Sequence, residues 1–240
     1  IRDRSPSRGL GDVYKRQITY ILKLKKNSKI SKYVTNHQKN LAVRFPKHKL
    51  FKNLLKQLDY PVAAPSANIS TRLSSVQASD VKDEFGSKIK YILDGGKCKI
   101  GLESTIINLT NKPSILRLGG LDLTRIRKIL GGKVYLSIHP NIKIAPGQSR
   151  LHYSPGIPLK TNVKKPKKNQ AFLLIKKRKK TLQNFYYLSK KNDLREVARN
   201  LYSSLRQVKK KGYKSIAVEK IPNHGIGKTI NDRLKRASKY

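Results

Sequence analysis

Hydrophobic and polar positions alternate in two rhythms along this chain, and the change from one to the other marks out its elements. Ile18–Leu24 and Leu41–Phe45 are β-rich runs, the first with the two-residue period of a strand. Between His48 and Leu58 the period lengthens: Leu50, Leu54, Leu55 and Leu58 fall on one helical face, and Tyr60-Pro61 ends the run. Val62–Ala64 then reads as a short strand. A helix is predicted around Val76–Glu84, and strands at Tyr91–Asp94, Ser104–Leu109 and Ser114–Gly119. A short helix follows, with Asp122 as N-cap and Gly131 past its end.

The rhythm stops in a stretch rich in Pro and Gly, residues 144–168, which reads as a linker. Beyond it a second unit begins. Strands are predicted at Ala171–Ile175, Asn184–Leu188 and Ser215–Ile221, and helices at Leu194–Lys211 and Gly227–Ala237. The first of those helices carries Leu194, Val197, Ala198, Leu201, Leu205 and Val208 on one stripe, with Gly212 as its stop. The mixture implies an α/β fold in two domains, 18–143 and 169–240, the second a small doubly wound unit. No internal repeat is visible.

Composition narrows the function classes. A length of 240 residues accommodates one large domain or two small ones. No apolar run reaches the roughly 18 residues that span a membrane, and no secretory signal pattern is present, so the expectation is a soluble, cytoplasmic protein with no membrane partner. The single Cys98 excludes an internal disulfide, and the five His residues lack ligand spacing, so no protein-held metal is expected. Methionine is absent throughout, and residues 1–17 differ in composition from the rest; they are expected to be a non-native scar on a fragment.

The net charge of +42 changes the picture further, because it is uneven. Residues 60–143 hold 13 basic and 6 acidic side chains, whereas residues 164–240 hold 24 and 4. Such an excess favours a polyanion through counterion release.

Within this basic chain, Pro61–Ser70 (PVAAPSANIS) carries no charge. Small residues ending in Ser and Asn form either an ordinary turn or a loop that lets backbone approach a ligand. "NHGIGKT", Asn223–Thr229, ends like a phosphate loop, but Pro222 stands where the motif needs its first glycine. Gly225 and Gly227 are therefore expected to make the turn into the last helix. Arg44 lies inside an otherwise apolar strand and should face an anion or a carboxylate. Arg117 sits beside two glycines, and Glu103, Ser104 and Thr105 open a strand.

The ordered set "AVRFP", "APSANIS", "DGG", "GLESTIINL" and "ILRLGG", followed by "APGQSRLHYSPGIPL", resembles the threonylcarbamoyl-AMP synthases that carry a C-terminal extension domain. "DLREVARNLYSSLRQVKKKGY" and "GIGKTINDRLKRA" resemble that extension. The resemblance implies a YrdC-like twisted mixed sheet with helices, incomplete at its N-terminus, and a small Rossmann-like α/β C-terminal domain. It implies an enzyme that condenses L-threonine, bicarbonate and ATP, with Mg2+, into threonylcarbamoyl-AMP and pyrophosphate. The product serves threonylcarbamoyladenosine modification of tRNA, so tRNA or the threonylcarbamoyl transferase complex is the expected downstream partner.

Position by position, the resemblance implies Arg44, Ala64 and Ser104 at the L-threonine site. It implies Asn40, Ser66, Ser74, Arg117 and Tyr153 at the ATP site, with Ser66 and Asn68 as the catalytic Ser-x-Asn pair and Tyr153 as a linker residue folded over the nucleotide. Asn40 stands where the family commonly has Thr. The family's Lys-x-Arg and Thr-Glu-Thr signatures have no counterpart ahead of Ile18, so this chain alone is expected to be inactive. Two rivals share the fold. One is a non-catalytic RNA-binding protein, favoured by the basic C-terminal part and by Tyr186 and Tyr187 as stacking residues. The other is a carbamoyl-transfer maturation factor, which the lone cysteine argues against.

Overall fold

A computed structural model describes residues 18–46, 48–121, 123–132, 134–138 and 152–239. They fall into two units: unit 1 comprises described residues from 18–65 and 103–138, and unit 2 those from 66–102 and 152–239. The uncharged Pro61–Ser70 segment crosses from one unit into the other.

Unit 1 is a five-stranded mixed sheet built from β1 (Ile18–Lys23), β2 (Asn40–Arg44), β3 (Thr105–Asn108), β4 (Ser114–Arg117) and β5 (Tyr135–Leu136), in the order β2-β1-β3-β4-β5. β1 runs antiparallel to β2 and parallel to β3; β3 and β4 are antiparallel, and β4 and β5 parallel. The alternation in the sequence now has a cause. Ile18 packs with Ile107, Ile115 and Ile126 on one face, where α4 (Leu123–Ile129) contributes Ile126, while Ile21 packs with Ile106 and Leu116 in a separate cluster. Two further helices are present, α1 (Lys32–Thr35) and α2 (Lys49–Lys56). α1 is a single turn capped by the Ser31 hydroxyl and closed by Asn36 at φ 52°, too short to leave a periodic trace in the sequence. Asp122, the expected N-cap of α4, lies outside the described residues.

Unit 2 has four parallel strands, β6 (Leu159–Lys160), β7 (Ala171–Lys176), β8 (Phe185–Ser189) and β9 (Ile216–Val218), in the order β6-β9-β7-β8. The helices α5 (Leu194–Lys210) and α6 (Gly227–Ala237) bury Val197, Leu201, Leu205, Ile230 and Leu234 against Leu173 and Leu188. Phe172, Leu174 and Ala217 form the opposite face and pack on Val163, Phe185 and Tyr187. Both helices therefore lie on one side, where the sequence predicted a doubly wound unit; the segment between β7 and β8, residues 177–184, is too short for a crossover helix. The described part of the expected linker, residues 152–168, contributes an edge strand and the buried Tyr153 and Leu159 to this unit.

Two predicted strands do not form. Val62–Ala64 is exposed between Pro61 and Pro65, which lack an N–H for a ladder and hold their neighbours extended without pairing. Tyr91–Asp94 is β-rich but finds no sheet edge, and Tyr91 is 89% exposed; the Asp94 carboxylate accepts from Gly96 N–H to start a turn. Gly227 opens α6 as expected: a Cβ there would lie 1.9 Å from the Pro222 carbonyl oxygen.

Glu196, in the first turn of α5, accepts from the Ser189 hydroxyl at 2.6 Å and from Lys190 N–H at 2.9 Å. The Ser189 hydrogen bond first, then that of Lys190, holds its carboxyl below the usual carboxylate range. A depressed folded-state value means that this contribution is fully present above the ordinary carboxylate value and is lost as pH falls through the folded one. Urea unfolding of Glu196→Gln across the acid range should accordingly show a shallower fall in stability below pH about 4.5 than the parent chain shows. Parallel curves would remove Glu196 from the acid response.

Candidate functional site

The nine residues expected to form the site are divided between the units. Asn40, Arg44, Ala64, Ser104 and Arg117 belong to unit 1; Ser66, Asn68, Ser74 and Tyr153 belong to unit 2, and the loop joining Ala64 to Ser66 crosses the division.

In unit 1 the centre is a hydrogen-bonded row across three strands. Arg117 Nε donates to the Ser104 carbonyl at 3.0 Å and Nη2 to the Ser104 hydroxyl at 3.0 Å. That hydroxyl shares a 2.8 Å hydrogen bond with the Thr19 hydroxyl. Sheet register explains why these side chains meet. Thr19 lies opposite both Arg44 and Ile106, and Ile106 lies opposite Arg117. The register then slips, so that Ile107 faces Ile115, one step along β3 against two along β4. Regular alternation would send Arg117 to the side of Ile115, which is buried among isoleucines. The bulge turns its guanidinium to the side of Ile106, where Thr19 and Ser104 wait.

Ser104 is buried, and the two arginines differ: Arg117 is half-buried, whereas Arg44 is exposed at the end of the outer strand β2. Arg44 therefore needs no counter-ion on grounds of burial, which corrects the expectation drawn from its apolar neighbours. Asn40 starts the same strand opposite Lys23, and Ala64 lies exposed in the extended segment. Gly119 allows the whole corner: a Cβ there would come 2.2 Å from Thr105 N and 2.5 Å from the Ser104 carbonyl carbon.

In unit 2 the Ser-x-Asn pair forms a tight turn. Asn68 N–H donates to the Ser66 carbonyl at 2.9 Å, and the Asn68 amide donates to the carbonyls of Ile69 at 2.8 Å and Arg72 at 3.3 Å. Its Oδ1 is buried and accepts nothing among the described residues. Glu84 receives Ile69 N–H at 3.1 Å. The following segment is stapled to α5 by Arg206, which donates to the carbonyls of Leu73 at 2.6 Å and Ser74 at 2.9 Å and lies 3.8 Å from Asp80. Asp80 in turn accepts Val76 N–H at the start of α3 (Ala78–Phe85).

Tyr153 is a core residue of unit 2. It is 1% exposed, at φ 62°, with its ring stacked on Tyr202 at 5.9 Å and under the Arg233 guanidinium at 4.8 Å. Ser154 N–H donates to the Thr71 carbonyl at 2.8 Å, which ties the chain after Tyr153 to the segment between Asn68 and Ser74. Thr19, Arg206 and Asp80 escaped the sequence reading because each works through a distant partner. Only the placement of Asp80 early in a helix was a local signal.

Among the described residues no group of three or more His, Cys, Asp or Glu comes together, and the row around Ser104 consists of hydroxyls and a guanidinium. These residues do not make a magnesium cage. No described helix is long and apolar enough to cross a membrane.

Comparison with known proteins gives this geometry a context. Residues 7–119 match the Sua5/YciO/YrdC family model, described as telomere recombination; residues 121–239 match the model of the threonylcarbamoyl-AMP synthase C-terminal domain. The first match begins within the segment 1–17 that composition set apart. The threonylcarbamoyl-AMP synthase of Pyrococcus abyssi is 33% identical over 242 residues, covering 91% of this chain and 70% of its own length. That of Schizosaccharomyces pombe is 31% identical, covering 88% and 60%, and that of Bacillus subtilis 30% identical, covering 92% and 69%. The crystal structure of P. abyssi Sua5 complexed with L-threonine superposes with a TM-score of 0.81 at 30% identity, covering 93% of this chain and 70% of that one. A structure of P. abyssi Sua5 in which an adjacent histidine and tyrosine are changed to alanine superposes with a TM-score of 0.80 at 27% identity, covering 100% and 74%. The mixed sheet with its bulged arginine, the four-stranded parallel unit and these matches over most of the sequence together place the chain in the threonylcarbamoyl-AMP synthase family.

Proposed function

We propose that this chain binds L-threonine and ATP, unit 1 contributing the Thr19–Ser104–Arg117 row and unit 2 the segment from Ser66 to Ser74. The reaction joins the carbon of bicarbonate to the threonine amino group with loss of water, and an oxygen of the resulting carbamate then attacks the α-phosphorus. The α–β phosphoanhydride breaks and pyrophosphate leaves. Its residues act by positioning and by charge neutralisation.

The observation that carries the reading is the locked Arg117 guanidinium. Two hydrogen bonds to Ser104 hold its charge in one place before any substrate arrives, so little reorganisation is left to the moment of reaction. In this reading Arg117 faces the nucleotide phosphates, with Asn40, Ser66, Ser74 and Tyr153 completing the ATP site. The exposed Arg44 closes on the threonine carboxylate with a charge-assisted pair, beside Ala64 and Ser104. Ser66 and Asn68 are the pair nearest the chemistry, and the buried Asn68 Oδ1 accepts nothing among the described residues. Magnesium comes with the triphosphate rather than from a protein cage. The product goes on to tRNA through a threonylcarbamoyl transferase. P. abyssi Sua5 has been altered at an adjacent His and Tyr, and His152-Tyr153 is the one such dipeptide here, which supports a role for Tyr153.

Calorimetric titration of L-threonine and of ATP tests the division of labour. Losing a hydrogen bond to a charged group costs about 1.5–3 kcal/mol, so Arg44→Ala should weaken threonine binding roughly 10- to 100-fold and ATP binding little. Arg117→Ala should do the reverse. Equal effects of either change on both ligands would refute the assignment.

A further inference from the structure

Unit 2 carries most of the chain's surplus charge, and its two ends treat that charge differently. Where the parallel strands begin, Lys167, Lys168 and Lys214 are exposed, and the exposed lysines at the end of α5 are engaged by neighbours within the unit. Lys210 pairs with Asp83, Lys211 lies 5.2 Å over the Tyr186 ring, and the Lys209 ammonium sits where a side chain on Gly156 would go. Where the strands finish, five consecutive cations at 176–180 begin with the last residue of β7, Lys190 and Lys191 follow β8, and Lys220 follows β9. All of these are exposed.

The carboxylates at this second end are already engaged. Glu219 accepts Ile175 N–H and pairs with Arg178 at 3.0 Å; Glu196 accepts from Ser189 and Lys190; Asp193 caps α5 through Arg195 N–H at 2.9 Å. Among the described residues, Arg178 is the cation of this end that has a carboxylate partner. β9, β7 and β8 are neighbours in the sheet, so their loops lie side by side, about 5 Å apart per strand. In parallel α/β sheets, ligands bind outside the carboxyl ends of the strands.

We infer that this end of unit 2 is an RNA-binding face that grips the phosphate backbone of a folded RNA of the tRNA class. Lysines spread over three adjacent loops suit a chain of regularly repeated phosphates, contacted as point charges without base readout. An anionic membrane would favour apolar side chains that insert among the cations, and Leu182, 49% exposed, is the large apolar residue of the β7–β8 loop that could do so. The choice of a tRNA-class partner rests on the reading that the product is destined for tRNA.

The test is the salt dependence of binding to an unmodified tRNA transcript, by fluorescence anisotropy between about 50 and 200 mM KCl, the range over which phosphate contacts are lost. Lys177→Ala, Lys179→Ala and Lys180→Ala combined should weaken binding and reduce the log–log salt slope by roughly 2 to 3, about 0.7–0.9 per phosphate contact. Lys167→Ala, Lys168→Ala and Lys214→Ala combined, which remove the same charge from the end where the strands begin, should change the slope by less than about 1. Circular dichroism establishes that both variants are folded. Equal losses in the two variants, or binding to phosphatidylserine vesicles in place of tRNA, would overturn the inference. Threonine and ATP titrations on the same proteins separate its failure from failure of the substrate site.

Discussion

Arg233→Met should destabilise unit 2 by about 2–5 kcal/mol, the sum of a lost hydrogen bond between charged groups and a lost buried cation–π contact. The Arg233 side chain is wholly buried; it pairs with Asp232 at 2.6 Å and lies 4.8 Å over the Tyr153 ring. Asp232 also receives Arg236 at 3.2 Å, so α6 presents two buried guanidiniums around one carboxylate. Removing Arg233 leaves Asp232 paired with Arg236 but takes away one charged hydrogen bond and a cation–π contact worth up to about 2 kcal/mol when desolvated. Methionine keeps most of the volume, which separates the electrostatic loss from a cavity. Urea unfolding followed by circular dichroism measures the change, and Arg233→Lys should fall between, because an ammonium keeps the charge but not the plane. A change within about 0.5 kcal/mol would show that the guanidinium is a passive filler.

The second large effect concerns placement of the unit 1 site. Gly119→Ala should destabilise unit 1 by about 3 kcal/mol or more and weaken threonine and ATP binding together. The added methyl would meet Thr105 N at 2.2 Å, the Ser104 carbonyl carbon at 2.5 Å and the Glu103 carbonyl oxygen at 2.6 Å. All three are backbone atoms, so no side-chain rotation relieves the contact; the entrance of β3 must move, and Ser104 with it. Gly86→Ala is the control, because a Cβ there meets nothing within 4 Å and costs only what its φ of 55° imposes. Binding by Gly119→Ala equal to that of the parent chain would mean that the close approach does not set the geometry of Ser104 and Arg117.

How legible the fold was depended on how locally each element is held. α5 announced itself through a stripe from Leu194 to Val208 and a Gly212 stop, and it forms as expected because its apolar face alone selects its period. β1, β3 and β7 were legible for the same reason. Val62–Ala64 and Tyr91–Asp94 had the residues of strands and lacked an edge to pair with, which composition does not encode. β6 was hidden in a stretch that Pro and Gly mark as a linker; two residues are enough when β9 supplies the ladder.

Among the candidate site residues, the sequence by itself determined which residues the family resemblance points to, and that the loop from Pro61 to Ser70 carries no charge. It also determined that the excess of cations lies toward the C-terminus, because charge and residue type are properties of the chain alone. The tertiary structure decided the rest. It turned Arg117 toward Ser104 by a one-residue slip, brought in Thr19 from a strand 85 residues away, and left Arg44 exposed. It made Tyr153 a buried member of a core and Arg206 the staple that holds the Ser74 segment. The physical reason is common to all of these. Each depends on a partner distant in sequence, and neither the identity nor the register of such a partner is written in the local pattern of hydrophobic and polar positions.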